Sequence, residues 1–131
     1  MSVVSWRWVA KKILIIDDDQ ASNELAARFL KSLGLDVVTT ESAFNSSALV
    51  TAEQPDLVLV DVRMPGLTGD TLIRMAKGRD GGTPCPFVLY STTEPAALSN
   101  LAQECGADGH IHKSGRLQEL AKSVRQYLGD D

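Results

Sequence analysis

The stretch ILIIDDDQ, residues 13–20, places four aliphatic residues directly before three aspartates. A continuous apolar run of this length is typical of a strand that is buried on both faces of a parallel sheet. The carboxylates of Asp17, Asp18 and Asp19 therefore come together where that strand ends. Like charges at such short range remain ionised only if a cation lies among them. The stretch thus predicts a buried strand and an acidic site at its end.

Short apolar runs recur along the chain and alternate with segments of helical period, which is the pattern of a β/α protein. The predicted strands are KILII (12–16), DVVTT (36–40), DLVLV (56–60), FVLYS (87–91) and HIH (110–112). The predicted helices lie at about 20–33, 42–53, 69–76, 93–106 and 117–128. Pro95 suits the first turn of the fourth helix, and Gly106 suits its end. We expect five mostly parallel strands and five helices.

The composition excludes several classes of function. The 131 residues match the size of one domain. Thirteen basic and 17 acidic residues give a formal charge of -4, so the chain lacks the basic footprint of a protein that binds nucleic acid or an anionic membrane. Cys85 and Cys105 show no metal-ligand spacing, and reduced thiols in a cytoplasm fit them best. No window approaches 18 consecutive apolar residues, so we expect a soluble, cytoplasmic protein.

Residues 1–10, MSVVSWRWVA, precede the first predicted strand and form an N-terminal extension to a domain at 11–129. Arg7 interrupts the extension, which lacks the apolar run of a signal peptide. Trp6 and Trp8 are interpreted as part of an apolar lead-in that packs against the edge of the domain, in preference to an arm that binds a partner. We expect no linker to a second domain after the last helix.

Polar side chains stand at the ends of four predicted strands. In an open parallel sheet, the loops after the carboxyl ends of the strands line one rim, and ligands bind there. The residues concerned are Asp17, Asp18, Asp19, Asp61, Ser91, Thr92, Thr93 and Lys113. Carboxylate oxygens with room for water suit Mg²⁺ or Mn²⁺, and a lysine beside such an ion suits phosphate. The residues alone leave open which group carries the phosphoryl.

Four motifs follow one another along the chain and together point to one family. They are ILIIDDD (13–19), DLVLVDVRMPGLTG (56–69), FVLYSTT (87–93) and GADGHIHKS (106–114). With this combination the sequence resembles the receiver domain of two-component response regulators, from about Lys12 to Leu128. The resemblance implies a flavodoxin-like, doubly wound α/β fold, with a five-stranded parallel sheet in the order 2-1-3-4-5 and five flanking helices. No output domain is expected in this chain.

The resemblance implies that Asp61, the aspartate before VRMP, accepts a phosphoryl group from a phosphohistidine. It further implies a Mg²⁺ site made by the acid pair Asp17 and Asp18, by Asp61 and by the backbone carbonyl of Arg63, with Mn²⁺ as the expected substitute. The ion would reduce the repulsion between the carboxylate and the incoming phosphoryl group. Asp19 is then interpreted as a group that complements the dipole of the first helix.

The resemblance also implies how the phosphoryl group is sensed. Lys113 would contact it, and the hydroxyl of Ser91 would move to bind it, which in this family lets an aromatic ring on the fifth strand turn inward. His110 stands at the position of that ring. A histidine is polar and titrates near neutral pH, so we predict that activation still involves His110, with coupling that is weaker or pH-dependent.

Ser114 follows Lys113 where the family usually has a proline joined by a cis bond. A cis bond before a residue other than proline costs about 3–4 kcal/mol. Either the phosphate-binding loop enforces that bond, or a trans bond aims Lys113 differently; we favour the cis bond. The resemblance implies that Arg63, Thr92 and Thr93 flank the path of a hydrolytic water, and we predict that they influence the lifetime of the acyl phosphate.

The expected partners also follow from the resemblance. They are a sensor histidine kinase or a histidine phosphotransfer protein as the donor, and a downstream protein or an output domain outside this chain. A second copy of the chain is a further candidate partner. The two copies would pair through the face made by the fourth helix, fifth strand and fifth helix. We expect no direct nucleic acid or membrane partner. The domain would catalyse only its own phosphotransfer and dephosphorylation, so we do not class it as an enzyme.

Two alternatives stay open. The first is a receiver-like interaction module whose phosphorylation is lost or weakened. The second is a phosphatase of the haloacid dehalogenase type, with Asp17 as nucleophile and Asp19 as acid/base. In such a phosphatase the motif has Thr or Val at the position of Ala21. It also requires a later acidic pair, for which only Asp130 and Asp131 are present.

Overall fold

The computed structural model describes residues 11–129. The extension 1–10, with Trp6 and Trp8, and the acidic pair Asp130 and Asp131 lie outside the described residues. None of the helices within 11–129 has the length and apolar character that a membrane span requires.

Five strands form a single parallel sheet in the order β2-β1-β3-β4-β5. The strands are β1 (Lys12–Ile16), β2 (Asp36–Thr40), β3 (Leu57–Val60), β4 (Phe87–Ser91) and β5 (Gly109–His112). The helices that connect and follow them are α1 (Gln20–Ser32), α2 (Ser46–Glu53), α3 (Gly69–Lys77), α4 (Pro95–Cys105) and α5 (Leu117–Leu128). The predicted fold class and strand order are confirmed.

The apolar run of β1 supplies both layers of the core, because successive side chains of a strand point to opposite faces of the sheet. Ile13 and Ile15 pack with apolar residues of α1 and α5. Leu14 and Ile16 pack on the other face, with residues of α2, α3 and α4. All four side chains are fully buried, which explains why the run has no polar position.

Local signals in the sequence account for several helix ends. Asp19 is the N-cap of α1, and its carboxylate accepts the backbone N–H of Ser22 at 3.2 Å. Pro95 occupies the first turn of α4, and Gly106 ends that helix in the left-handed conformation, with φ 81°. The helix-terminal roles predicted for these three residues are confirmed.

The segment predicted as one helix from 42 to 53 begins instead with a 3₁₀ turn, Ala43–Asn45, and is α-helical from Ser46. Side chains three residues apart eclipse one another in a 3₁₀ turn. Ala43 and Ser46 are therefore both buried, and the Ser46 hydroxyl donates to the Ala43 carbonyl at 2.7 Å. The tighter turn thus buries two small residues where the helix begins.

Candidate functional site

Three carboxylates meet at the carboxyl ends of β1 and β3, which are neighbours in the sheet. The backbone holds two of them in place, because the N–H of Asp17 donates to Thr40 O at 3.0 Å and that of Asp61 to Ile16 O at 2.9 Å. Carboxylate oxygens of Asp17, Asp18 and Asp61 lie within 4.8 Å of one another. Asp17 is fully buried, Asp61 is 8% exposed and Asp18 is exposed. The predicted acidic site is thus brought together by two adjacent strands.

Lys113 brings a positive charge to this cluster from the end of β5. Its N–H donates to the Ser91 carbonyl at 2.8 Å, which continues the pairing of β4 with β5. The ammonium contacts the carboxylate of Asp17, lies 3.7 Å from that of Asp61, and is 4.9 Å from the centre of the Tyr90 ring. Burial, together with the charges of the two aspartates, raises the pKa of Tyr90 to about 12. The phenol is therefore neutral, and the ammonium balances carboxylates only.

The electrostatics of Asp61 show that its charge is incompletely balanced. Burial is the main cause that raises the pKa of its carboxyl, and the nearby charge of Asp17 raises it further. The ammonium of Lys113 and the backbone N–H of Arg63 lower it, and the pKa stays raised overall. One ammonium faces three carboxylates here, so the cluster favours a second cation.

The chemistry of the donors fits a small divalent cation. Every side-chain donor of the cluster is a carboxylate oxygen, the ligand type that Mg²⁺ and Mn²⁺ prefer. Asp18 is exposed and leaves the cluster open toward solvent, so that waters or phosphoryl oxygens can complete the shell. The carbonyl of Arg63 as a further ligand stays a prediction.

A backbone N–H and a side-chain amide hold Asp17 in place. The role of the amide was not predicted. The N–H of Asp19 donates to Asp17 Oδ1 at 3.0 Å, and the side chain of Asn23 donates to the Asp17 carbonyl at 2.7 Å. Asn23 is buried on α1 in line with Ala26 and Leu30. An amide within an otherwise apolar helical stripe was the available signal for this contact.

The hydroxyl of Ser91 is engaged within its own loop. Ser91 is buried at the end of β4, its Oγ lies 3.0 Å from Thr93 Oγ1, and it accepts the Thr93 N–H at 3.2 Å. Thr92 is exposed and Thr93 is partly buried. The effects predicted for Thr92, Thr93 and Arg63 on the acyl phosphate stay predictions.

The bond between Lys113 and Ser114 is trans, since no cis peptide bond occurs among residues 11–129. The favoured cis bond was therefore wrong. Without a proline, the cis form carries its full cost of about 3–4 kcal/mol, whereas the serine hydroxyl supports the trans loop. That hydroxyl donates to Glu119 Oε2 at 2.7 Å and accepts the Arg116 N–H at 3.2 Å. The trans loop still directs Lys113 onto the carboxylates.

His110 lies on β5 opposite Leu89 and is partly buried. Its strand packs closely against α5, because a Cβ at Gly109 would lie 1.8 Å from the hydroxyl oxygen of Tyr127. Burial raises the pKa of Tyr127, and a backbone hydrogen bond from His110 opposes the rise. Motion of His110 on activation stays a prediction, and the contact of Tyr127 with its strand was not predicted.

Gly69 is a second glycine with a role that the sequence did not reveal. A Cβ at this position would lie 2.0 Å from the carbonyl oxygen of Asp61. The Gly69 N–H donates to Val62 O at 3.0 Å. The absence of a side chain thus lets the first residue of α3 lie against the backbone of Asp61. The only signal was a glycine at the start of a helical segment.

Comparisons with known proteins agree with this geometry. The family profile described as "Response regulator receiver domain" matches residues 13–125. The DNA-binding response regulator MtrA of Mycobacterium tuberculosis is 30% identical over 118 residues, which are 90% of this chain and 50% of MtrA. Protein PilG of Pseudomonas aeruginosa is 24% identical over 89% of this chain and 87% of its own length. This chain thus spans about half the length of the MtrA proteins that it matches.

A solved structure gives the same result for the fold. The BeF₃-activated N-terminal receiver domain of Klebsiella pneumoniae RstA superposes with a TM-score of 0.80 and 31% identity, covering 90% of this chain and 98% of that one. Receiver domains are signalling domains that generally bind Mg²⁺ at an acidic pocket, and the three clustered carboxylates form such a pocket here. With the family profile matched over most of its length, this chain belongs to the receiver domains of two-component response regulators.

Proposed function

We propose that Asp61 accepts a phosphoryl group from a phosphohistidine and that this switches the binding of a partner in two-component signalling. The observation that carries the proposal is the position of Asp61 at the end of β3, within one crevice with Asp17, Asp18 and Lys113. A carboxylate with two further carboxylates and an ammonium beside it suits phosphoryl transfer.

In the transfer, a carboxylate oxygen of Asp61 attacks phosphorus, and an acyl phosphate forms. The bond from phosphorus to the imidazole nitrogen of the donor breaks, and the imidazole leaves with the electron pair. Because burial raises the pKa of Asp61, cations beside the carboxylate favour the charged form that attacks phosphorus. Lys113, 3.7 Å from Asp61, is one such cation.

Asp17, Asp18, Asp61 and the carbonyl of Arg63 would hold Mg²⁺, or Mn²⁺ in its place. When bound, the ion supplies positive charge between the attacking carboxylate and the phosphoryl oxygens. Asp17 is kept rigid for this role by Asp19 and Asn23. Lys113 would pass from its contact with Asp17 toward the new phosphoryl oxygens, since these add negative charge beside Asp61.

Ser91 would sense the phosphoryl group. To reach it, the hydroxyl has to give up its contact with Thr93 Oγ1 at 3.0 Å, which is exchanged for a charge-assisted hydrogen bond. Movement at the end of β4 would reach His110 on the adjacent β5 and alter the face made by α4, β5 and α5. The response is a shift between two populated states of one fold.

The proposed donors are a sensor histidine kinase or a histidine phosphotransfer protein. The proposed recipients of the signal are a downstream protein, an output domain outside this chain, or a second copy that pairs through α4, β5 and α5. DNA binding is named for MtrA, whereas the charge of -4 on this chain gives no support for direct contact with nucleic acid.

The phosphatase alternative is disfavoured by the surroundings of Asp17. Its side chain is fully buried, and its two oxygens are engaged by the Asp19 N–H and by Lys113. A nucleophile held in this way is poorly placed to attack a phosphomonoester. Turnover of a generic phosphomonoester that Asp17→Asn abolishes and Asp61→Asn retains would favour the phosphatase.

The decisive experiment is phosphorylation by a small donor. The native chain and Asp61→Asn are incubated with acetyl phosphate and Mg²⁺, and intact mass is measured. We expect a single phosphoryl adduct on the native chain, its absence from Asp61→Asn, and its loss when EDTA replaces Mg²⁺.

Asp19→Asn is the matched control, because asparagine caps a helix as well as aspartate. It should be phosphorylated like the native chain. A native chain that remains without an adduct would contradict the proposal and favour an interaction module that has lost phosphorylation.

A further inference from the structure

The ammonium of Lys113 lies over an aromatic ring as well as beside two carboxylates. Its nitrogen is 4.9 Å from the centre of the Tyr90 ring, which is inside the range of about 6 Å at which a ring face attracts a cation. The same ammonium contacts the carboxylate of Asp17 and lies 3.7 Å from that of Asp61. Tyr90, the residue before Ser91 on β4, has no part in the mechanism described above.

The core holds the Tyr90 ring in place. Tyr90 is 6% exposed and packs with Ala26 of α1 and Leu120 of α5. Ser91 points to the other face of the sheet, because successive side chains of a strand alternate. The pKa of Tyr90 is about 12, so the ring remains a neutral phenol at neutral pH. Lys113 therefore lies beside a fixed, uncharged aromatic surface.

The backbone supports Lys113 mainly on one side. Its N–H donates to the Ser91 carbonyl at 2.8 Å. The next three residues, Ser114, Gly115 and Arg116, are exposed, and no proline fixes the chain there. A lysine side chain is a flexible four-carbon stem that carries a point charge. Contacts of the side chain itself therefore determine where the ammonium lies.

A small cavity offers the lysine stem another place. It has a volume of about 110 Å³ and is lined by Tyr90 and Lys113 together with residues of α1 and α5, among them Ala26 and Leu117. Because the Tyr90 ring is part of its wall, a smaller side chain at position 90 would enlarge the cavity next to Lys113. The ring thus limits the space into which the lysine can withdraw.

We propose that Tyr90 is a positioning residue for phosphoryl transfer to Asp61, and that the face of its ring holds the ammonium of Lys113 beside the carboxylates. The inference rests on the function proposed for Asp61. A ring face attracts a cation through its quadrupole, yet it adds no net negative charge to the crowded acidic site. The ring therefore orients the ammonium and leaves its charge available to Asp61 and to the incoming phosphoryl oxygens.

A graded series of fluorinated phenylalanines at position 90 tests the proposal. Fluorine withdraws electron density from the ring face and changes the ring size little, so the attraction for a cation falls with each fluorine. Each chain is incubated with acetyl phosphate and Mg²⁺, and the initial rate of adduct formation is measured by intact mass. The rate should fall steadily from phenylalanine to pentafluorophenylalanine.

Two ordinary substitutions set the ends of the scale. Tyr90→Phe keeps the ring face and should keep the native rate within about twofold. Tyr90→Leu removes the ring and should react about three- to tenfold more slowly, which corresponds to the usual strength of a cation–π contact.

Phe87 provides the matched control, because it is a buried aromatic residue of the same strand that packs on the other face of the sheet. The fluorinated series at position 87 should leave the rate unchanged. Phe87→Leu removes a buried ring as Tyr90→Leu does, so it reports the general effect of lost packing. Circular dichroism verifies that each chain is folded.

Chemical shifts give a second readout, which needs no phosphorylation. Protons above a ring face are shifted upfield by the ring current. Since the Lys113 nitrogen lies over the Tyr90 ring, we expect its ε-methylene protons upfield of their usual position in the unphosphorylated chain. Tyr90→Leu should return them to that position, and Phe87→Leu should leave them shifted.

Several outcomes would overturn the proposal. A rate that is constant across the series at position 90 would show that the ring face does not act on the ammonium. A loss in Tyr90→Phe as large as in Tyr90→Leu would assign the effect to the phenol hydroxyl, and equal trends at positions 87 and 90 would assign it to packing. A native chain without an adduct would contradict the proposed function instead. The Lys113 shifts would then still decide whether the ring holds the ammonium.

Discussion

At the scale of single residues, the chemistry of the site depends on a shortage of positive charge. Asp17 is paired with Lys113, which leaves Asp61 with the weaker contact of 3.7 Å. Burial and the charge of Asp17 then raise the pKa of Asp61. A carboxylate that is destabilised in this way gains more from a bound cation than an exposed one would.

This shortage predicts that Asp61→Asn stabilises the domain when EDTA is present. Since the pKa of Asp61 is raised by folding, the folded state holds the proton more tightly than the unfolded state does. Its contribution to stability is therefore present at low pH and lost as pH rises through the ordinary carboxyl range and the raised pKa. We expect Asp61→Asn to be more stable than the native chain by about 1 kcal/mol at pH 7, measured by urea unfolding.

The pH dependence distinguishes this cause from a general effect of asparagine. The difference between the two chains should shrink toward zero as pH falls, because the carboxyl becomes protonated in both states. Asp80→Asn, at an exposed loop position, should show no such trend. A native chain that is the more stable of the two at pH 7 in EDTA would contradict the prediction.

Residue identities at strand ends predicted the charged residues of this site, but not the residues that hold them in place. Asp17, Asp61 and Lys113 were found because parallel strands bring their carboxyl ends to one rim. Asn23 and Gly69 were missed, since their roles depend on how α1 and α3 approach the sheet. The geometry of the bond before Ser114 was mispredicted for a related reason. The hydrogen bonds that support its trans form come from residues further along the chain.

At the scale of elements, apolar period and end signals predicted nearly every boundary. The strands β1, β2 and β4 have the predicted limits, because each lies between clear breaks in the apolar pattern. The largest difference is at the start of α2, where the 3₁₀ turn Ala43–Asn45 accompanies the burial of Ala43 and Ser46. A pattern of single residues does not encode that packing.

The close contact between β5 and α5 predicts strong coupling between two residues. Gly109→Ala places a methyl group where the Tyr127 hydroxyl lies, so we expect a loss of about 1–3 kcal/mol in the free energy of unfolding. In a Tyr127→Ala background the same change should cost far less, because the obstructing ring is gone. Urea unfolding of the four chains measures the coupling energy.

The matched control is Gly78→Ala, at a glycine with an ordinary helical φ of -77°. Its cost should be the same with and without Tyr127. If Gly109→Ala cost the same in both backgrounds, the contact between the strand and the helix would not be the cause. Since His110 follows Gly109, we expect this contact to limit the response of β5 that is proposed for phosphorylation.

At the scale of the whole molecule, the order β2-β1-β3-β4-β5 explains why one rim serves as the site. β1 and β3 are adjacent and deliver the carboxylates, while β4 and β5 deliver Ser91 and Lys113 from one side. The strand order itself came from family resemblance, because apolar runs alone do not specify which strands are neighbours.

Metal binding should therefore stabilise the whole domain, since ions that bind only the folded state shift the unfolding equilibrium. Mg²⁺ at 100 times its dissociation constant is expected to add about 2.7 kcal/mol to the free energy of unfolding, and EDTA should remove that gain.

Asp18→Asn tests the site with little risk to the fold, because Asp18 is the exposed member of the cluster. Asp80→Asn, outside the cluster, should keep the full response. Thermal unfolding in a Mg²⁺ titration measures the effect, and an Asp18→Asn chain that is stabilised like the native one would remove Asp18 from the metal site.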